Sequence, residues 1–479
     1  MKTINHKIWV DTLLKVLTLF FCISWYSFQF VKSEIPADSG DGIMHYFISN
    51  ASWENPILLL HHWGKPLFIL LSSPFSQFGF SGIISFNILV FTVTILIAWK
   101  IASKFNLSIW LTILFPIILI NIQDYSITVL GGLTEPLFNL FFLLTFWLLV
   151  TKKWFWLAII TSFLPFLRSE GQLPVVLIFF ILLYFKQYKY IPFLLVGFIL
   201  YSIVGFFALN DFWWYFTKSP YVMNNGIYQH GNWNHYLLSY KNYLGNTGLF
   251  VFIGAFIYLI LQILKRSWKT IEFTNLFYIY GTFVGIVVLH SYFWATGQNA
   301  SLGLTRITTQ AMPAFVLLNL IFIEKSRFGK YKFSSFVIGS ISLLIALNSV
   351  LTKHFPIKAN ALELQVINAA NTLKRTIKPG QLLFYHHPLF CFEFGNNPFT
   401  KNQSCIFYYC DDLEKDIVTK MKAGDLIVRD SQFGPQEQQL TFQSITNSKH
   451  LTLYRKFVSK EQKEDTYSET EGVFVYEVK

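Results

Sequence analysis

The chain has 479 residues, of which 53% are hydrophobic and 19% aromatic, while only 13% are charged. A soluble globular chain carries about 25% charged residues, so roughly half of the usual water-facing charge is missing. That excludes a disordered protein, a nucleic-acid module and an ordinary cytosolic enzyme, and leaves a polytopic membrane protein. The formal net charge of +12 is explained below by where the basic residues fall.

Apolar runs long enough to cross a bilayer, about 17–25 residues each, predict spans over 9–31, 81–99, 107–123, 127–150, 154–168, 172–185, 191–209, 247–264, 275–293, 307–323 and 333–351. The runs 154–168 and 172–185 are short and separated by Arg168-Ser169-Glu170-Gly171, so they must tilt or be shielded by neighbouring helices. The first run is too long for a signal-peptide core. It carries Trp25 and Tyr26 near its outer end and lacks a small-residue cleavage site, so it reads as a retained anchor.

Lys2 and Lys7, Lys100 and Lys104, Lys152 and Lys153, Lys186 and Lys189, Lys265, Arg266 and Lys269, then Lys325, Arg327, Lys330 and Lys332 fall in every second loop. This is the positive-inside pattern, and it places the N-terminus and those loops in the cytoplasm of an inner or cell membrane. With an odd number of spans, the segment after Leu351 lies outside. The fold class is therefore mainly α, a polytopic membrane protein with about eleven transmembrane helices and a small extracytoplasmic α/β domain at its C-terminus. Residues 1–351 form the transmembrane domain, with a first outer loop at 32–80, and residues 352–479 form the outer domain.

In that last segment Ala361–Lys378 and Asp411–Lys422 have helical spacing, whereas 381–385, 425–429, 451–457 and 472–478 read as strands. Cys22 sits in the first span; Cys391, Cys405 and Cys410 lie in the outer segment, where oxidation is allowed. One disulfide is expected there, with Cys391–Cys405 the preferred pairing, and no cysteine spacing is a zinc pattern.

Ionisable groups in or beside membrane spans are costly, so their positions carry information. On this topology they gather at the outer face: Asp38 and Asp41 after the first span, Lys65 in the first loop, and Asp124 and Glu135 around the third and fourth spans. Arg168 and Glu170 end the fifth, His290 is near the outer end of the ninth, and Arg306 opens the tenth. Each has a structural alternative. Asp38 beside glycine suits a turn, Asp41 a helix N-cap over Gly42–Ala51, and Glu135 a half-helix cap before Pro136. Arg168 and Glu170 can pair with each other, and Arg306 can snorkel to the interface. His61 and His62 read as interfacial residues rather than metal ligands. Between 210 and 246, Trp213, Trp214, Tyr221, Tyr228, His230, Trp233, His235 and Tyr236 suit either stacking on an acceptor sugar or an interfacial aromatic belt.

A cytoplasmic N-terminus, one span, a long outer loop opening on an acidic motif and a multi-span body resemble the GT-C glycosyltransferases. Within these, the likeness is to the protein O-mannosyltransferase and lipid A aminoarabinose transferase group. Asp41-x-x-x-His45-Tyr46 is similar to that family's first-loop aspartate followed by an aromatic. Trp63-Gly64-Lys65-Pro66-Leu67 looks like its Lys-Pro segment before the second span. Thr134-Glu135-Pro136 and Arg168-Ser169-Glu170-Gly171 resemble short motifs of related membrane mannosyltransferases. The likeness covers about residues 1–350, and it departs where Asp38-Ser39-Gly40-Asp41 replaces an Asp-Glu pair.

The resemblance implies a hexosyltransferase, mannosyltransferase-like, that moves a sugar from a polyprenyl-phosphate donor to a glycan, lipid or protein acceptor with inversion. Asp41, or else Asp38, would be the base. Lys65, Arg168 and Arg306 would meet the lipid phosphate, and His45, Tyr46, Glu135 and Glu170 would contact substrate. No organic cofactor or nucleic acid is expected. A divalent cation, magnesium or manganese, stays open, with Glu135, Glu170 and Asp124 as its ligands. The competing readings are a lipid-linked-sugar transporter or flippase, an O-antigen ligase or polymerase, and a sensor whose outer domain binds the ligand.

Overall fold

The computed structural model describes residues 2–220, 230–264, 270–325, 340, 355–400, 404–410, 412–458 and 472–479. The chain divides into two compact units, one of residues 1–32 with 59–356 and the other of 33–58 with 357–479. The sequence reading kept the whole loop 32–80 with the transmembrane domain; in the structure its first part, 33–58, groups instead with the C-terminal segment. The physical reason is a set of hydrogen bonds between the two stretches. Glu34 N–H donates to Ile357 O at 2.9 Å, Ile357 N–H to Ser33 Oγ at 3.0 Å, and Ala359 N–H to a Glu34 carboxylate oxygen at 3.1 Å.

The first unit is helical. Six of its described helices are long and apolar enough to cross a membrane: Ile8–Lys32, Phe80–Lys104, Tyr188–Leu209, Tyr240–Gln262, Glu272–Thr296 and Thr305–Lys325. Ile109–Asn121 and Gln123–Leu130, bent by 73°, make a seventh if they count as one span. Four shorter apolar helices, Pro66–Ser76, Glu135–Val150, Trp154–Phe166 and Ser169–Tyr184, account for most of the remaining runs. The expected span 333–351 and the basic residues Lys265, Arg266, Lys269, Arg327, Lys330 and Lys332 lie outside the described residues.

Several of the expected runs are broken in the structure, and the breaks have local causes. The run 127–150 is cut at Gly132, whose φ of 70° suits glycine and where a Cβ would come within 2.7 Å of Ile83. The helix then restarts at Glu135 with Pro136 in its first turn, where a missing N–H costs nothing. The run 154–168 ends as an α-helix at Ser162 and continues as a tight turn around Pro165.

The second unit is α/β. Strands β1 (Leu383–Tyr385), β2 (Cys405–Phe407), β3 (Leu426–Asp430), β4 (Leu451–Phe457) and β5 (Val473–Val478) form one sheet in the order β2-β1-β3-β5-β4. β1 pairs in parallel with β2 and β3; β3–β5 and β5–β4 are antiparallel. Register runs through Leu383 opposite Cys405 and Leu426, and Leu426 opposite Glu477. β1 and β3 are buried throughout, as parallel strands covered on both faces must be. β4 is one of the two edges; it is exposed along most of its length and carries Arg455 and Lys456, charges that discourage further pairing. A core of Phe384, Ile427, Leu440, Phe474 and Tyr476, among others, fills one side of the sheet. Helix Ala361–Thr376 starts with a capping box: Asn360 accepts the Glu363 N–H while Glu363 accepts the Asn360 N–H.

Candidate active site

Within the first unit, Arg168 stands in extended backbone (φ −159°, ψ 147°) between two single-turn 3-10 segments, Leu164–Phe166 and Ser169–Gly171. The two turns close on each other because Gly171 has no side chain. A Cβ there would lie 2.3 Å from the Leu164 carbonyl carbon and 2.6 Å from Pro165 N. This tight double turn presents Arg168 and Glu170 to the start of helix Glu135–Val150.

Arg168 Nη1 lies 2.8 Å from Glu135 Oε1 and donates to Thr134 Oγ1 at 3.0 Å. Its Nη2 lies 3.3 Å from Glu170 Oε1. The same Glu170 oxygen accepts from His290 Nε2 at 3.1 Å and from Gln310 Nε2 at 3.0 Å. The side chain of Glu135 is 1% exposed and that of Glu170 9%. Two carboxylates so far from water require a compensating cation and several donors, and this network provides both.

Lys65 belongs to the same neighbourhood. It precedes helix Pro66–Ser76 at φ 62°, is 8% exposed and lies within electrostatic reach of Glu170, His61 and His62. Burial, then His62 and Lys65, hold His61 down to about 4 from 6.5, and burial holds His62 near the same value. Both rings are therefore neutral at pH 7. In keeping with that, His61 Nδ1 accepts the Gly64 N–H at 3.3 Å. Asp124 sits in the first turn after the 73° bend, 5% exposed, with the Thr305 hydroxyl donating to it. Arg306 follows Thr305 in the turn Thr305–Ala311, which also carries Gln310.

The structure thus brings Lys65, Glu135, Arg168 and Glu170 together in the first unit, and sets Arg306 beside Thr305, the partner of Asp124. Asp38, Asp41, His45 and Tyr46 belong to the second unit. There Asp38 Oδ1 accepts the N–H of Gly42 at 2.8 Å and of Gly40 at 3.3 Å, so it holds the entry to helix Asp41–Ala51. Asp41 is the first residue of that helix. His45 is buried, and the half-buried Tyr46 packs its ring 5.4 Å from Phe47.

The sequence reading missed Gln310. Its signal was available: Arg306-Ile307-Thr308-Thr309-Gln310 is a polar run at the head of an otherwise apolar helix. The aromatic stretch 210–246 divides. Trp214 and Tyr236 are buried, Trp213 and Trp233 are more than half exposed, and Tyr221 and Tyr228 lie outside the described residues.

Among the described residues no three His, Cys, Asp or Glu side chains gather as a metal-binding group. Glu135 and Glu170, two of the three residues left open as ligands of a divalent cation, are joined by the Arg168 guanidinium. The donor set does not fit a divalent ion. The four cysteines carry reduced thiols, which corrects the expected Cys391–Cys405 disulfide. The Cys391 thiol donates to Asn396 O at 2.6 Å.

Neither a protein-family model nor a curated protein sequence matches the chain. Its fold is shared with a crystal structure of ArnT from Cupriavidus metallidurans bound to undecaprenyl phosphate, at a TM-score of 0.61 and 8% identity over 98% of each chain. The apo structure of the same protein matches at a TM-score of 0.59 and 7% identity, over 99% of this chain and 98% of that one. The similarity therefore runs through both units.

Proposed function

We propose that this chain is an integral membrane glycosyltransferase of the GT-C type that takes a sugar from a polyprenyl-phosphate donor. The observation that carries this reading is the fold shared over 98% of the length with ArnT, an aminoarabinose transferase solved with undecaprenyl phosphate bound. The polar network of the first unit supports it: buried charges held by donors from several helices are costly to maintain without a use.

The acceptor hydroxyl gives its proton to a carboxylate as its oxygen bonds to the anomeric carbon. The bond from that carbon to the phosphate oxygen breaks, its electron pair leaves with the polyprenyl phosphate, and configuration inverts. Asp41 is the base. Asp38 ranks behind it, because one of its oxygens already accepts two backbone N–H groups. Lys65 and Arg306 meet the charge that grows on the phosphate, where preorganised cations away from water act most strongly. Arg168 shares that charge, although its terminal nitrogens are engaged by Glu135, Glu170 and Thr134; its main task is to fix the two carboxylates that face the sugar. His45 and Tyr46 take part in binding substrate. Transfer occurs at the extracytoplasmic face of an inner membrane, to a glycan, lipid or protein acceptor.

A second reading, a carrier of lipid-linked sugars, is favoured by one observation. The broken helix pair with Asp124 just past its 73° bend resembles the discontinuous helices of transporters. One experiment separates the two. Membranes containing the protein are given radiolabelled polyprenyl-phosphate mannose and other polyprenyl-phosphate sugars, with Asp41→Asn and Asp38→Asn variants at matched expression. Label covalently transferred by wild type and lost in Asp41→Asn supports the enzyme. Donor moved across the membrane with no new glycosidic bond supports the carrier.

A further inference from the structure

The helix that carries Asp41 is built into the α/β unit. At its head, Ser39 Oγ donates to Glu363 Oε1 at 2.9 Å. That carboxylate cannot drift, because its other oxygen accepts the Asn360 N–H at 2.9 Å while the Asn360 side chain accepts the Glu363 N–H at 2.9 Å. One residue further, a Cβ at Gly40 would stand 3.7 Å from the Phe433 ring. Phe433 is fixed in turn, since Asp430 Oδ1, at the end of β3, accepts the N–H of Gln432 at 2.8 Å and of Phe433 at 2.7 Å.

At the other end of the helix, Asn397 Nδ2 donates to Phe47 O at 3.0 Å and to Asn50 Oδ1 at 3.2 Å. Asn397 follows helix Pro388–Phe394, which leads out of β1, and Phe392 of that helix meets the rings of Tyr46 and Phe47 at 6.3 and 6.5 Å. The segments that grip the Asp41 helix therefore include those that leave the carboxyl ends of the parallel strands β1 and β3. That is the end where open α/β sheets place their functional loops.

We infer that the α/β unit is the mount of the Asp41 helix, and that Glu363 and Asn397 are positioning residues for transfer, acting through Ser39 and the helix backbone. The inference rests on the glycosyl-transfer reading for the role of Asp41, but not for the mount itself. A base must stand within hydrogen-bond reach of the proton it takes, and a misplacement of about 1 Å costs on the order of a hundredfold in rate. A helix held at both ends by a sheet is an effective way to fix that distance. Glu363 and Asn397 then have a task in catalysis through the helix they hold.

The test uses the full chain in detergent or nanodiscs. The variants are Ser39→Ala with Asn397→Ala, which leave the strands and the Glu363 capping box intact, then Glu363→Ala and Glu363→Gln. Hydrogen exchange of amides 42–51 and of β1 and β3 is measured beside transfer from polyprenyl-phosphate sugar. The double variant is expected to exchange about tenfold faster over 42–51 with β1 and β3 unchanged. Its kcat falls roughly 10- to 100-fold while KM for the donor stays within about twofold. Glu363→Gln, which keeps an acceptor oxygen, recovers most of what Glu363→Ala loses.

Unchanged exchange over 42–51 overturns the mount. Faster exchange with wild-type kcat, while Asp41→Asn is inactive, overturns the positioning role. Should Asp41→Asn transfer sugar as wild type does, the glycosyl-transfer reading of Asp41 fails, and the exchange result alone decides the mount.

Discussion

The Arg168 guanidinium lies 2.8 Å from Glu135 and 3.3 Å from Glu170, joining two carboxylates that stand 33 and 2 positions from it in sequence but start different helices. Removing the cation strips the two buried carboxylates of the charge they share, a loss of about 3–5 kcal/mol. Arg168→Ala is therefore expected to melt far below wild type or to fail to accumulate. Arg168→Lys keeps the charge but cannot reach both carboxylates with a planar fork, so it should fold and transfer slowly. Melting midpoints of purified protein beside transfer rates check both; wild-type behaviour of Arg168→Lys would show that the fork geometry is irrelevant.

The two first-loop aspartates should separate by substitution. Asn at position 38 still offers an oxygen to the Gly42 N–H, so Asp38→Asn is expected to melt and transfer close to wild type. Asp38→Ala loses the acceptor of the Gly40 and Gly42 N–H groups and about 1 kcal/mol. Asp41→Asn should keep its fold and lose about 10²- to 10⁴-fold in kcat, the usual worth of a general base. Melting curves and transfer assays on the three variants decide it; a larger kcat loss in Asp38→Asn would move the base to Asp38.

Much of the helical unit was legible because hydrophobic runs report burial directly: the runs at 81–99, 275–293 and 307–323 coincide with Phe80–Lys104, Glu272–Thr296 and Thr305–Lys325. What composition could not report was where a run breaks. Gly132 and Ile122 interrupt apolar sequence through backbone angles, not through polarity. The short strand β2 and helix Pro388–Phe394 were missed for lack of periodicity over three and seven residues. In the polar cluster, charged residues stand out against an apolar background, and so Glu135, Arg168 and Glu170 were singled out. Gln310 was not, because a neutral amide carries no topological cost that draws attention. The placement of 33–58 in the α/β unit depends on pairings such as Ser39 with Glu363, 324 positions apart, which no single-sequence pattern encodes.

Glycine at 171 is required by space. A Cβ there meets the Leu164 carbonyl and Pro165 N, both backbone, at 2.3–2.6 Å, and backbone cannot rotate aside as a side chain can. Gly171→Ala should force the double turn open, displace Arg168 and Glu170, and cost more than about 2 kcal/mol. Gly79 is the control: its φ is 80° but nothing lies within 4 Å of a Cβ. Gly79→Ala should cost only the left-handed penalty of about 1–2 kcal/mol. Melting midpoints of the pair check the difference; equal shifts would mean the turn at 171 relaxes.

Acid should weaken the fold through His61. Burial holds this ring down to about 4, against 6.5 when it is free. Between those values the unfolded chain binds a proton that the native state does not, so stability rises with pH across the window. It is lost as pH falls from about 6.5 to about 4, by roughly 3 kcal/mol for this group. Protonation also removes the acceptor for the Gly64 N–H, loosening the turn that sets Lys65. Melting midpoints measured from pH 7 to pH 4.5 should fall, and His61→Gln, which keeps an acceptor and does not titrate, should flatten that slope. A variant with the wild-type slope would assign the acid sensitivity elsewhere.

The buried thiols of the α/β unit should be inert. Burial pushes Cys391 up to about 12 and raises Cys405 as well, and the reactive species is the thiolate. At pH 8 both residues are therefore almost wholly protonated as well as shielded from solvent. Native protein treated with iodoacetamide at that pH should show no carbamidomethylation at either position by mass spectrometry. Protein unfolded in guanidinium should label at both without prior reduction, because no disulfide joins them. If labelling of the unfolded chain needs a reductant, the two cysteines are paired in the isolated protein. The hydrogen bond from Cys391 to Asn396 O would then have to be replaced by a sulfur–sulfur bond.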